Sequence, residues 1–143
     1  MSDHCFTYGS LMCDDIMGAV TAAAPLRPVP ARLAGYRRAP VAGADYPGMV
    51  PAAEGRVEGV LYLDLPAAAW PRLDAFEGDE YRRSEVEVEL PDGHRLTAWA
   101  YVFKPEYAAR LGEGEWSFQR FLATGKARFE ALYLGFDTLG RVD

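Results

Sequence analysis

Between Glu85 and Leu90 the chain alternates strictly, with Glu85, Glu87 and Glu89 on one side of an extended segment and Val86, Val88 and Leu90 on the other. A period of two marks a strand with one wet face. Pro91-Asp92-Gly93-His94 follows with turn chemistry, and Arg95 to Phe103 continues as the partner strand. That partner is apolar on both faces, so it is expected more centrally than the strand before it. Gly55 to Leu63 also alternates: Val57, Gly59, Leu61 and Leu63 share one face, and Arg56, Glu58, Val60 and Tyr62 the other. Cys5 to Tyr8, rich in aromatic and β-branched types, reads as a short buried strand cut off by Gly9-Ser10.

Helical spacing appears elsewhere. Ile16 to Ala24 is helix-compatible and is stopped by Pro25. Pro66 suits the first turn of a second helix, along which Trp70, Leu73 and Phe76 fall near helical spacing and after which Gly78 is a natural stop. The tail from Glu115 to Phe136 carries Trp116, Phe118, Phe121, Leu122, Phe129, Leu132 and Tyr133, which fits one or two amphipathic helices broken near Thr124-Gly125. The span from Pro25 to Pro51, rich in proline and glycine, reads as strand and loop. Neither repeats nor a linker divide the chain, so residues 1–143 are expected to form one domain. Strands first, a helix between strands and helices at the end make an α+β pattern and not a regular βαβ alternation.

Composition narrows the function classes. The formal net charge is −6, and the basic residues are scattered, with only short pairs such as Arg37-Arg38 and Arg82-Arg83. That leaves no electrostatic footprint for nucleic acid or an anionic membrane. No apolar run reaches the ~20 residues of a membrane helix, and Asp3, His4 and Gly9-Ser10 interrupt any apolar start, so the expectation is a cytoplasmic protein. Cys5 and Cys13 are the only cysteines. Their spacing is neither C-x-x-C nor a zinc-finger pattern, and with His4 alone they fall short of a zinc ligand set, so no metal is expected.

Four stretches carry chemistry together: Phe6-Thr7-Tyr8-Gly9-Ser10-Leu11-Met12; Tyr46-Pro47-Gly48; Val57-Glu58-Gly59-Val60-Leu61-Tyr62; and Leu73-Asp74-Ala75-Phe76-Glu77-Gly78-Asp79-Glu80-Tyr81-Arg82-Arg83. In order and spacing they resemble the γ-glutamylcyclotransferase-like family, in particular its AIG2-like and γ-glutamylamine cyclotransferase branch, from about Cys5 to Phe103. The aromatic region around Trp116 is similar too. The resemblance implies a small mixed β-barrel with flanking helices and a cavity at one barrel mouth. It implies that the turn Tyr8-Gly9-Ser10-Leu11 offers backbone N–H groups to a substrate α-carboxylate, that Glu77 is the catalytic acid–base, and that a γ-glutamyl compound is cyclised to 5-oxoproline without a cofactor. The turn reads Ser10-Leu11-Met12, where the classical γ-glutamylcyclotransferases carry Ser-Asn-Leu, and this leaves the leaving amine open.

The residue chemistry agrees with those roles. Consecutive N–H groups at a sharp turn form an anion site, although a plain tight turn would read the same way. Cyclisation has its nucleophile and electrophile already tethered, so proton handling is the remaining task. One carboxylate performs it if its surroundings raise its pKa towards neutrality, and Phe76, Trp70 and Tyr81 are candidates for that apolar setting. Asp79 and Glu80 read as a solvated helix end. Asp74 reads as orienting local backbone, and Arg82 and Arg83 as partners of the acidic cluster or of a substrate carboxylate. Tyr46 is expected in the pocket as readily as in the core, and Tyr101 in the core first.

Two rivals stand beside this reading. Ser10 on its turn suggests a serine hydrolase, but Gly-x-Ser-x-Gly is absent and only His4 and His94 could act as base. A non-catalytic module on the same fold would keep the pocket and bind a small γ-glutamyl or amino-acid-like ligand. A monomer is the starting expectation.

Overall fold

The computed structural model describes residues 3–131. Five strands close into a mixed barrel: β1 (Cys5–Thr7), β2 (Pro28–Pro40), β3 (Pro47–Tyr62), β4 (Tyr81–Glu89) and β5 (Arg95–Phe103), arranged in the order β1-β3-β2-β4-β5. Closure runs through β1, which pairs antiparallel with β3 (Thr7 opposite Val60) and meets β5 in parallel at Cys5 and Trp99. β4 and β5 form the hairpin read from the alternating glutamates, in register from Tyr81–Phe103 to Glu89–Arg95.

The proline-rich span is more regular than its composition suggests. β2 and β3 pair from Pro28–Tyr62 to Pro40–Pro47, with one irregularity between Ala34 and Tyr36. Proline removes a ladder donor and is tolerated where a strand edge is free. β2 offers such an edge, because its pairing with β4 is limited to Arg32 opposite Glu89.

Alternation sorts the strand residues into two apolar clusters. Phe6, Leu33, Met49, Val57, Leu61, Val88, Ala98 and Ala100 fill the barrel. Cys5, Tyr62 and Tyr101 point the other way, beneath helices that contribute Ile16, Met17, Leu73, Phe121 and Phe129. β5 is apolar on both faces because Trp99 and Tyr101 lie against this helix layer, while Glu85 and Glu87 of β4 face water. In a closed barrel it is helix cover, and not a central place in the sheet, that distinguishes the two strands.

The helices depart from the pattern reading in detail. α1 spans Asp14–Thr21 and ends at Ala22 in the left-handed conformation (φ 58°), ahead of Pro25. α2 spans Ala69–Glu77, three residues inside Pro66. The last helix, α3 over residues 118–131, is not broken at Thr124-Gly125: Phe121–Gly125 runs on with π-type spacing into Lys126–Phe129. Gly125 stays helical there because Asp45 packs against it, where a Cβ would lie 3.1 Å from Asp45 Oδ1. Leu132 and Tyr133, expected on the same stripe, lie outside the described residues. No helix among the described residues is long and apolar enough to cross a membrane.

Candidate active site

A cavity of about 80 Å³ opens where β1 ends and α2 ends, at the Tyr81–Phe103 end of the barrel. Its walls contain every residue singled out for binding and catalysis: Tyr8, Gly9, Ser10, Leu11, Tyr46 and Glu77. Phe6, Thr7, Pro47, Phe76, Tyr81, Tyr101 and Phe129 complete it.

The turn after β1 is held open by packing. Gly9 (φ −136°, ψ −131°) precedes a short 3₁₀ turn at Ser10–Met12. A Cβ on Gly9 would lie 2.7 Å from Pro47 Cδ, so close approach of β3, and not a left-handed backbone, is what excludes larger residues there. Within the turn, Met12 N–H donates to Gly9 O (3.0 Å) and Cys13 N–H to Ser10 O (3.1 Å). The N–H groups of Gly9, Ser10 and Leu11 have no hydrogen-bond partner among the described residues. Three consecutive unpaired donors in a cavity wall favour an anion.

Glu77 is the last residue of α2. Gly78 follows in the left-handed region (φ 79°), its N–H closing the helix on Asp74 O, and turns the chain away into β4. Glu77 is half-buried as a residue and shares the cavity wall with Phe76, Tyr81 and Phe129, and its carboxyl has no hydrogen-bond partner among the described residues. Burial pushes its pKa up to about 8, and the charge of Asp74 adds to the rise. Phe76 and Tyr81 thus supply the apolar setting expected of them. Trp70 is not among the residues lining the cavity; its ring faces the Arg83 guanidinium at 5.1 Å.

Tyrosine hydroxyls brace the walls. Tyr8 donates to Tyr101 O (2.5 Å), Tyr81 to Pro47 O (2.7 Å) and Tyr101 to Asp74 Oδ1 (2.7 Å). Burial raises all three phenols above their ordinary range, so they remain protonated donors. Asp74 therefore does more than orient backbone: its second oxygen accepts from Arg83 (3.1 Å), the pairing expected of that arginine. Tyr101, expected in the core first, is buried and also lines the cavity.

Glu80 is not a solvated neighbour. Only 19% of its side chain is exposed, and it accepts from the Tyr46 hydroxyl (3.1 Å) and from Arg110 Nη1 (2.6 Å). Asp79 is exposed. Phe129 reaches the cavity from α3; its place in a helical stripe marked it only as core. Ser10 lines the cavity without a histidine beside it. His94 sits in the β4–β5 turn at the far end of the barrel, and the His4 ring accepts from Asp64 N–H (3.1 Å). The serine-hydrolase constellation is therefore not assembled. Among the described residues no group of three His, Cys, Asp or Glu side chains could hold a metal.

Comparison with known proteins bears on the family and the fold. AIG2-like protein A of Arabidopsis thaliana is 30% identical over 129 residues, covering 87% of this chain and 74% of its own. A solution structure of an Arabidopsis thaliana protein matches with a TM-score of 0.68 at 25% identity, covering 99% of this chain and 85% of its own. A structure titled gamma-glutamyl cyclotransferase shares the fold at 19% identity and a TM-score of 0.62, covering 75% and 74% of the two chains. The family model for gamma-glutamyl cyclotransferase, AIG2-like, matches residues 5–118, and this chain belongs to that family.

Proposed function

We propose that this chain is an enzyme that releases 5-oxoproline from a γ-glutamyl amine or peptide by intramolecular acyl transfer, with Glu77 as general acid–base. The observation that carries the proposal is the sharing of one cavity by the Glu77 carboxyl and the unpaired N–H groups of Gly9, Ser10 and Leu11. The substrate's α-carboxylate sits on those amides, with the Tyr8 and Tyr46 rings beside it. Its α-amine and γ-carbonyl then face Glu77.

The tether between amine and carbonyl supplies an effective molarity on the order of 10⁵–10⁸ M, so the protein need not bring two reactants together. The α-amine nitrogen forms a bond to the γ-carbonyl carbon, closing the five-membered ring, and its proton passes to the Glu77 carboxylate. The C–N bond to the leaving amine then breaks as Glu77 returns that proton to the leaving nitrogen. No redox change occurs and no cofactor is consumed. A carboxyl whose pKa lies near 8 exchanges protons with an amine more evenly than one near 4.5.

The test is 5-oxoproline release from a panel of γ-glutamyl amino acids, a γ-glutamyl polyamine, γ-glutamyl-ε-lysine and glutathione. Turnover of at least one compound, lost in Glu77→Gln, is the expected result. Tight binding of the panel without product would instead leave a small-ligand-binding module on the same fold.

A further inference from the structure

The proposed α-carboxylate cradle has an electrostatic gap. Among the described residues Glu77 is the only charged one lining its cavity, and no described lysine or arginine contributes to the wall. A carboxylate leaving water for such a site needs compensation beyond three neutral amides. Directly behind the turn lies Arg38 of β2, its side chain 14% exposed. Its Nη1 donates to Tyr8 O at 2.8 Å and to Glu58 O at 3.3 Å, and its guanidinium lies 5.5 Å from the centre of the Trp116 ring. Glu115, largely exposed, approaches at 3.8 Å.

Two features show that packing does not account for an arginine here. Burial disfavours its charged form, and its Nε is buried with no hydrogen-bond partner among the described residues. Both cost stability that an apolar side chain of similar volume would not. The gain lies in the peptide that Arg38 holds. The Tyr8–Gly9 bond is trans, so the Tyr8 carbonyl and the Gly9 N–H point in opposite directions across one plane. Fixing the carbonyl from behind fixes the N–H in front. A cationic donor on the carbonyl also polarises the peptide, which strengthens the N–H as a donor.

We propose that Arg38 is a positioning residue for substrate recognition, orienting the Gly9 N–H and supplying through the Tyr8–Gly9 peptide a positive charge that the described residues of the cavity wall do not. The role rests on the proposed γ-glutamyl reading, and it makes the site selective for a substrate that keeps a free α-carboxylate.

The test compares binding of 5-oxoproline with that of its neutral carboxamide to the wild type, Arg38→Gln and Arg38→Lys, alongside KM and kcat on a substrate from the panel. The wild type is expected to favour the carboxylate. Arg38→Gln should reduce that preference about tenfold and raise KM correspondingly, with kcat within about threefold and the pH dependence of kcat unmoved. Arg38→Lys keeps the charge and the stem over Trp116 but not the planar fork, and should give an intermediate ratio. It also carries the comparison if Arg38→Gln does not fold. A purely structural role would weaken both ligands together. A wild-type carboxylate-to-carboxamide ratio in either folded variant overturns the inference and leaves the cyclotransferase reading standing. A wild type that neither turns over the panel nor binds 5-oxoproline removes both.

Discussion

The two ends of the barrel carry similar residues and differ in what surrounds them. At the far end, Glu89 meets Arg32 at 3.3 Å in a half-buried pair, while Glu87 meets Arg95 at 3.8 Å and Asp92 meets His94 at 2.8 Å largely in water. Exposed pairs of this kind contribute little to stability, because water screens them. At the cavity end, hydroxyls of Tyr8, Tyr81 and Tyr101 are spent on carbonyls and on Asp74, while the Glu77 carboxyl is left without a hydrogen-bond partner among the described residues. Burial then does what charge count alone cannot: it lifts the Glu77 carboxyl to about 8. What sets Glu77 apart from these carboxylates is the partner it lacks.

The largest effect expected from that contrast is on rate. Glu77→Gln removes the proton carrier but preserves shape, so turnover of a confirmed substrate should fall about 10²–10⁴-fold. Asp79→Asn, on the exposed side of the same turn, should stay within about twofold. In the wild type, kcat/KM should decline on the acid side of about pH 8 as Glu77 takes up its proton. An Asp79→Asn variant as dead as Glu77→Gln would break the comparison between buried and exposed carboxylates.

The same residue should show itself in stability, with the opposite sign. Glu77 has a folded pKa raised from 4.5 to about 8, so folding favours its protonated form. Its stabilising contribution is complete below about pH 4.5 and is lost as pH rises through 8. Glu77→Gln carries no such ionisation. Thermal or denaturant unfolding should find the variant more stable than the wild type at pH 8.5, on the order of 2 kcal/mol once partial exposure is allowed for, with the gap closing by pH 4. A gap of equal size at both pH values would show that Glu77 is not ionising from a buried state.

Much of this was legible in the chain. Strict alternation in Val86–Leu90 and Val57–Tyr62 specified strands because one face meets the core, and the order of motifs brought Tyr8, Gly9, Ser10, Leu11, Tyr46 and Glu77 to one cavity. What escaped depends on contacts between distant segments. The length of β2 and β3 was hidden by prolines that a free strand edge tolerates. Arg38 read as one of a basic pair until its carbonyl partner 30 residues away was in view. Glu80 read as solvent because nothing local announces Tyr46 or Arg110.

That misreading yields a smaller, sharper prediction. Glu80 fastens the Tyr46 ring to the start of β4 and holds no reacting proton, so Glu80→Ala should release one wall of the cavity. KM is expected to rise about 3–10-fold, the range of a hydrogen bond worth roughly 1 kcal/mol, with kcat little changed. Glu80→Gln keeps an acceptor for the Tyr46 hydroxyl and should fall between the two. A loss in kcat matching that of Glu77→Gln would move the acid–base role to Glu80.

The smallest effect should come from the far end. His94 has a carboxylate partner in hydrogen-bond range, Asp92 at 2.8 Å, which on chemistry alone makes it a candidate base for Ser10. Its position argues otherwise: it lies beyond the Glu89–Arg95 end of the hairpin, while Tyr81 and Phe103 mark the end that carries the cavity. His94→Ala keeps the backbone N–H that donates to Asp92 Oδ1 at 2.9 Å, so the turn should persist. Turnover and KM should then match the wild type within about twofold, and the melting temperature should move by no more than about 2 °C, as for other exposed substitutions. Because Ser10 lines the cavity, a Ser10→Ala variant checks the same point from the other side: it should retain 5-oxoproline release, since in the proposed mechanism the attacking nitrogen belongs to the substrate. Abolished turnover in both single variants would replace the Glu77 mechanism with a hydroxyl nucleophile and would require the two barrel ends to meet in a conformation unlike this one.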